Sequence, residues 1–544
     1  MRIILIKDKN ANIYFFQNKY KLNFKINIKI NYKSSCTYTI LMDKYYSLTK
    51  TLILSGIQCE KKLWFDLNEK IKSKDKAIFR TGNRFNDVVR KHYGKGLDLS
   101  DEKEHQVVID RTKEAIQSDS INVIYEAGFL FKKTFIRADV LIRKDNQWTM
   151  LEAKASTSVK DINISDLAIQ SFIVKKSGLD VICNKIIHIN REFIYKGDEN
   201  YEELIVEVDI TKDVLNEEKK VEDLITKFLP LKESACPKIQ VGPQCKNPYP
   251  CDYFDKCSPP ETDINNVSYK ILPYYGKKIE TYCKTNKIEK LKDIPKDLLQ
   301  SSRKDYAENY HQIIQEAHIK NIPWVSEDIS EQFKKWKMPY YFMDFETIQQ
   351  GVPIIENTKP FEQVPFQWSV HKLSEKGKNL EEFSFIDFAD QDIEFNFLKK
   401  LIDTLGDKGT IFVHNHPFEK GVLNKLKEKP KMKSYSDQVD SIIDRIEDTL
   451  ELTRKNFYSP EMFGKYSLKK IVKAIPTEIS YESKDEDAVS DGGDAQLAWF
   501  KCTDPETKPK EKENYKKELI KYCSKDTYAL FDLINYFLNF KRKI

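Results

Sequence analysis

Nowhere in the 544 residues does an apolar run approach the roughly 18 residues that a membrane span requires. The opening MRIILIKDKN meets Lys7 before the apolar region of a signal peptide can form. The expectation is a protein of the cytoplasm with no membrane partner. Surplus charge is missing as well. The net +6 comes from residues 1–41, which hold eight Lys and Arg against Asp8 alone and leave 82 basic and 83 acidic residues to everything after. A polyanion partner therefore has to be argued from particular side chains, not from net charge. Disulfides are not expected of ten cysteines in a reducing compartment, where buried thiols or metal ligands are the rule. Scattered ones such as Cys183 and Cys502 read as core filler. The short C-x2–4-C pair that marks most zinc sites is also absent.

What is present is enough apolar sequence, 40%, for buried cores, in a chain long enough for two or three domains. Residues 1–41 read as an extension that is disordered or precedes a natural start at Met42, with NFKINIKINYK (23–33) as an alternating, strand-like alternative. CKNPYPCDYFDKC (245–257) sets three cysteines at intervals of six, which makes neither a set of disulfides nor a complete metal site.

KTFIRADVLIRKDNQWTMLEAKAS (133–156) is two alternating apolar runs around Asp145-Asn146, the pattern of a hairpin with a two-residue turn. Residues paired across such a turn have numbers summing to 291, so Asp139 is expected opposite Glu152, with Lys154 further along the same face. Directly opposed like charges destabilise a sheet and call for a compensating cation. A divalent metal held by carboxylate oxygens is one; a solvent-facing polar row is the plainer reading.

Asp139 followed by Glu152-Ala153-Lys154 resembles the active-site pattern of the PD-(D/E)XK nuclease superfamily, in its RecB-like branch. FRTGNRFNDVVRKHYGKG (79–96) resembles the helix preceding that core, YEAGF supplies Glu126, and SDLAIQSFIVKKSG (165–178) resembles the helix that brings a Gln, here Gln170. Val174 stands where the family usually has an aromatic. The resemblance implies Mg2+ or Mn2+ on the carboxylates, with Lys154 positioning water and stabilising charge on a phosphate. Some members of that branch also carry an iron–sulfur cluster, and on that resemblance Cys59, in SGIQCEKKLWF, joins Cys245, Cys251 and Cys257 as ligands of a 4Fe-4S cluster. Zinc is the alternative metal and Cys236 a substitute ligand; five residues separate the second and third cysteines where the family tends to have two.

Residues 258–335 open with the turn-rich SPPETDINN and continue in helical patterns, read as a helical connector over 259–335. His311 and His318, seven apart there, read as core or solvated histidines. PYYFMDFETI (339–348) is an aromatic strand interrupted by Asp344 and Glu346, two apart and so on one face. GTIFVHNHPFEKGVLNKL (409–426) is a strand running into a helix with Pro417 in its first turn and Glu419 just after. KKELIKYCSKDTYALFDLINYFL (516–538) is an amphipathic helix with Tyr522 and Asp526 on one face.

Together these resemble the exonuclease motifs of the DnaQ-like superfamily with an RNase H fold: Asp-x-Glu, Asn415-x3-acid and Tyr-x3-Asp. Glu419 stands where that superfamily mostly has Asp, and Asp448 reads as structural. The resemblance is to an uncharacterised bacterial family joining such a domain to a RecB-like nuclease. It implies an α/β protein: a restriction-endonuclease-like domain over 42–258, the connector, and an RNase H-like domain over 336–544. There Asp344, Glu346, Glu419 and Asp526 would hold two metal ions and Tyr522 would orient water. A DNA exonuclease of repair or defence is expected. The alternative is a nucleic-acid-binding scaffold whose C-terminal half has lost catalysis.

Overall fold

The computed structural model describes residues 47–69, 77–258, 266–374, 380–389, 391–481 and 489–540, and the backbone of three short strands before them. Those strands, Ile4–Lys7, Ile13–Gln17 and Tyr20–Lys21, pair antiparallel within a unit of their own, Met1–Ser47. The alternating segment 23–33 and Met42 lie outside the described residues. Leu48–Ile544 forms the other unit, a mixed α/β body holding two large sheets. No helix among the described residues is long and apolar enough to cross a membrane.

The first sheet is bounded by helices α1 (Lys50–Gln58), whose cap Thr49 accepts from the Leu52 amide, and α2 (Ala77–Tyr93). Strands β1 (Val123–Phe131), β2 (Thr134–Lys144) and β3 (Gln147–Lys154) form an antiparallel meander. Helix α3 (Asp161–Lys176) then crosses over to β4 (Val181–Ile189), parallel to β3, as a parallel connection requires. Seven strands result, in the order Ile205–Asp209, β4, β3, β2, β1, Leu97–Asp98, with Leu48–Thr49 beside β2. The turn between β2 and β3 is the two-residue one expected: Asp145 and Asn146 both take left-handed φ, 52° and 62°, which Asp and Asn tolerate. Register follows the sum of 291 from Lys144↔Gln147 to Val140↔Leu151.

At Asp139 that regularity stops. Ile136, Ala138 and Leu141 belong to the core under α3, while Val140 belongs to the core under α2. Strict alternation would put 138 and 140 on one side, so the strand switches faces at Asp139, as at a bulge. Its neighbour Glu126 on β1 has φ 56° and is skipped by the β1–β2 pairing. The direct Asp139–Glu152 pair expected from the turn is thereby corrected: Asp139 turns its Oδ2 to the Ala153 amide at 3.0 Å.

The second sheet takes β5 (Tyr340–Gln349), β6 (Gln363–Leu373), β7 (Leu380–Ile386), β8 (Thr410–Val413) and β9 (Ile446–Asp448) in the order β7-β6-β5-β8-β9. The first three alternate in direction; β8 and β9 run parallel to β5. Helix α4 (Pro417–Glu428), with Pro in its first turn, follows β8. Helices α5 (Gly492–Thr503) and α6 (Pro509–Asn539) complete the chain's described fold. α6 is pinned by polar contacts: Ser369 and His371 of β6 meet the Thr527 hydroxyl at 2.9 and 2.8 Å, and Gln367 donates to Leu519 O at 2.8 Å.

The connecting residues share a core with this sheet. Tyr310 and Ile314 pack with Phe342, Phe412, Tyr458 and Leu533. His311 and His318 are both buried there, against Pro273 O at 2.6 Å and the Tyr458 hydroxyl at 2.9 Å. The scattered cysteines divide otherwise than expected. Cys283 and Cys523 are buried, whereas Cys183, beside the exposed edge strand and bonded to Asp209, and Cys502 are only half-buried.

Candidate active sites

The switch at Asp139 opens the first sheet where β3 delivers Glu152 and Lys154. Glu152, only 1% exposed, accepts from Lys50 at 2.7 Å, Lys154 at 2.6 Å and Gln170 at 2.8 Å. Asp166, one helical turn before Gln170 on α3, accepts from Lys154 at 2.6 Å and Gln170 at 3.0 Å. Asp139 lies 3.8 Å from Lys50. The structure thus gathers Asp139, Glu152, Lys154 and Gln170 and adds two residues the sequence did not single out, Lys50 and Asp166. The compensating cations present are the two ammoniums. Burial works against both, yet the surrounding carboxylates outweigh it and hold both lysines above their ordinary pKa. Glu126 shares a pocket with Asp139 and Arg90, and burial raises its carboxyl pKa. Three close carboxylates face two ammoniums, and Gln170 Oε1 is buried with no hydrogen-bond partner. Both features leave room for a further cation with a taste for oxygen ligands.

In the second sheet the acids have far less compensation. Asp344 and Glu346 sit on the central strand, where the β5–β6 register shifts just after Glu346. Burial, and then Asp526, raise the Asp344 pKa well above the carboxylate range. Glu346 is raised by burial, then by Asp344 and Asp526, with Lys469 pulling the other way. Glu419, 2% exposed in the first turn of α4, is raised by burial and then by Asp344, and its Oε2 is buried without a partner. Asp526 is raised by burial, partly offset by Tyr481, whose hydroxyl donates to it at 2.6 Å. Burial, and then Asp526, Glu346 and Asp344, raise the Tyr522 phenol, so it stays protonated. The Lys469 ammonium lies 5.4 Å from the Tyr481 ring and 5.5 Å from the Tyr522 ring.

All five residues expected at this site therefore meet. Tyr481 and Lys469 were not anticipated as site residues, although Lys469 lies in YSLKKIV (466–472), a segment that resembles a connecting stretch of the same superfamily. Asp448 has other work: it caps the helix Thr449–Asn456 through Leu450 and accepts from the amides of Asn415 and His416 and from His416 Nδ1. Burial opposes its charge, but those donors outweigh burial and lower its pKa.

The four cysteines Cys59, Cys245, Cys251 and Cys257 line one pocket, walled by the rings of Phe65, Tyr253 and Phe254. Cys236 is not among the lining residues. Burial raises the Cys251 thiol, with smaller contributions from Cys245 and Cys59. The neighbouring Gln58 amide donates to Gln244 O at 2.9 Å and Tyr249 O at 2.7 Å, tying α1 to the cysteine loop. Among the described residues no group of three or more His, Cys, Asp or Glu side chains is gathered closely enough to hold a metal ion as it stands. The three sets suit metals by donor type: thiols in one, hard oxygens in the other two.

Residues 341–467 match a domain of unknown function, DUF2779. The match includes Asp344, Glu346 and Glu419 and ends before Tyr522 and Asp526. A protein of Mycoplasma genitalium described as uncharacterised, MG366, is 27% identical over 238 residues, 39% of this chain and 35% of that protein. The chain spans about a third of the length of that curated relative.

Proposed function

We propose that the chain is a metal-dependent nuclease that hydrolyses phosphodiester bonds, with DNA as substrate and two hydrolytic centres. The observation that carries this reading is the second site: four carboxylates from three separate elements are packed together, burial raises the pKa of each, Asp344 or Asp526 adds to the rise in Asp344, Glu346 and Glu419, and one oxygen of Glu419 has no partner. Burying like charges together is costly unless a cation joins them. The strand order supports an RNase H-like fold for this half. Numbered from β5, it reads 3-2-1-4-5, with the acids on the central strand. In the first half, a helix, a three-stranded meander, a crossover helix and a parallel strand support a PD-(D/E)XK core.

Mg2+ or Mn2+ held by Asp344, Glu346, Glu419 and Asp526, and by Glu126, Asp139 and Glu152, would lower the pKa of water and neutralise phosphate charge. The chain's own residues supply the rest. Lys154, kept charged by Glu152 and Asp166, offers a cation to the developing negative charge. Gln170 fixes Glu152 and Asp166 in place. Tyr522, protonated, orients water by hydrogen bonding rather than by taking a proton. Tyr481 holds Asp526. The four-thiol pocket fits an iron–sulfur cluster, with zinc as the alternative, clasping α1 to the cysteine loop.

The test is a Mg2+- or Mn2+-dependent assay on single- and double-stranded DNA and RNA with Asp139→Ala and Asp344→Ala. Each variant should lose a different activity by orders of magnitude, because each removes a residue of a separate centre. If Asp139→Ala abolishes all cleavage and Asp344→Ala changes nothing, the C-terminal half is a binding module, and Glu419 is the first residue to question.

A further inference from the structure

Beside the second site lies a pocket of about 490 Å³, lined in part by Tyr274, Tyr306, His414, Asn415, Arg454 and Tyr466. That volume is in the range of sites for small organic ligands. Its position relative to the acids follows from the parallel pairing of β5 with β8. The strand β8 ends at Val413, and His414 and Asn415 lead from it into the helix that carries Glu419, on the side of the sheet where β8 lies beside the strand of Asp344 and Glu346. The Asn415 amide is held by Asp448 at 2.9 Å, and its exposed carboxamide has no hydrogen-bond partner among the described residues.

The opposite wall comes from the connecting segment. Tyr274 is 63% exposed and has φ 54°, a backbone state that a bulky residue rarely adopts. The Arg303 guanidinium, not itself among the lining residues, stacks 3.9 Å from the Tyr274 ring centroid, and Tyr306 meets the edge of that ring. Arg303 and Arg454 share one carboxylate, Asp305, at 3.1 Å each, which leaves this wall with surplus positive charge. Arg454 Nε is buried and has no hydrogen-bond partner.

Aromatic faces, a free carboxamide and surplus guanidinium charge are the groups that bind an unpaired base with its phosphate. We propose that this pocket holds one nucleotide of a single strand of nucleic acid whose backbone continues to the acids of the second site. The substrate class that follows is single-stranded. A base paired in a duplex cannot stack on Tyr274 without first being freed. The connecting segment is then part of the substrate-binding surface, with Tyr274, Arg454 and Asn415 as binding residues and Arg303 holding the Tyr274 ring. The proposal rests on the nuclease reading of the second site for what the strand is doing there, but not for the binding itself.

The test is fluorescence anisotropy with a short fluorescein-labelled oligodeoxyadenylate in EDTA, where no metal-dependent cleavage proceeds, using the full chain. Tyr274→Ala and Arg303→Ala should each weaken binding about tenfold, the scale of one lost base-stacking contact. Tyr274→Phe, which keeps the ring, should bind as wild type does, and duplex DNA should bind equally to all variants. Both side chains lie at the surface, so their removal leaves the cores untouched. Unchanged affinity in both Ala variants overturns the proposal. A chain that cleaves nothing yet shows this Tyr274-dependent binding keeps the pocket and loses the nuclease reading. One that cleaves single strands with the same KM in wild type and both Ala variants keeps the nuclease and loses the pocket.

Discussion

Asp344 is half-buried on a central strand beside three other acids, and the lysine charges that bear on the cluster are Lys469, through Glu346 and Asp526, and Lys525, through Asp526. Glu152 is more deeply buried and is gripped by two lysines. The two sites should therefore answer neutralisation with opposite signs. In EDTA, Asp344→Asn should raise the thermal midpoint by a few degrees, about 1 kcal/mol, because it relieves repulsion. Glu152→Gln should lower stability by about 2 kcal/mol, because it removes the one carboxylate that accepts from both half-buried ammoniums and leaves them to Asp166 and Asp139. Calorimetry of the two variants checks both, and equal signs would contradict this account of the charge balance. His318 gives the pH dependence. Burial lowers its pKa to about 4, so between the unfolded value near 6.5 and 4 the unfolded chain binds more protons than the folded one. Stability must fall as pH falls through that window, by about 2 kcal/mol at pH 5 from this residue alone. Urea unfolding at pH 7 and pH 5 should show the loss, and His318→Gln should shrink it. Asp344, Glu346, Tyr522 and Asp526 were legible because period and spacing put each pair on one face. Lys50, Asp166 and Tyr481 were not, since each reaches its site through tertiary packing that no local pattern encodes.

At the scale of elements, hairpin chemistry was readable to the residue: Asp145-Asn146 fixed the turn, and the turn fixed the register. The departure at Asp139 was hidden, because a bulge needs no special residue type and shows only as cores exchanged between faces. Both acidic sites lie at such irregularities, at Asp139 in one sheet and after Glu346 in the other. Helix α6 was evident from its amphipathic pattern, but what aims it was not. The Thr527 hydroxyl is wedged between Ser369 and His371, fully buried. Thr527→Val keeps the shape and leaves those two groups without their partner, at a cost of about 1–3 kcal/mol. Because Asp526 and Tyr522 lie on the same helix, activity of the second site should fall further than stability, while any activity of the first site is retained. Proportional loss of both activities would mean that α6 acts only as support for the whole body.

From Leu48 onward the two sheets share one compact unit. The seam is specific. Tyr195 exchanges backbone hydrogen bonds with Thr358 and Asn357, Val352 enters the core under α2, and Arg80 lies 3.6 Å from Asp504. A Cβ on Gly351 would stand 2.5 Å from Thr81 Cγ2 and 3.0 Å from Ile189 Cδ1. Gly351→Leu should pry the seam open and turn one calorimetric transition into two, each half keeping its own core. A single transition in that variant would show that the seam contributes little to cooperativity.

The tie from Gln58 to the loop of Cys245, Cys251 and Cys257 also has a history in time. Cys59 is made 186 residues before Cys245, about 10–40 s of synthesis at ordinary ribosomal speed. Leu48–Thr49 precedes Cys59, and the other six strands of the first sheet are made within that interval. The loop therefore arrives at a body whose sheet is already complete, and the last three thiols meet the first on a surface that was waiting for them.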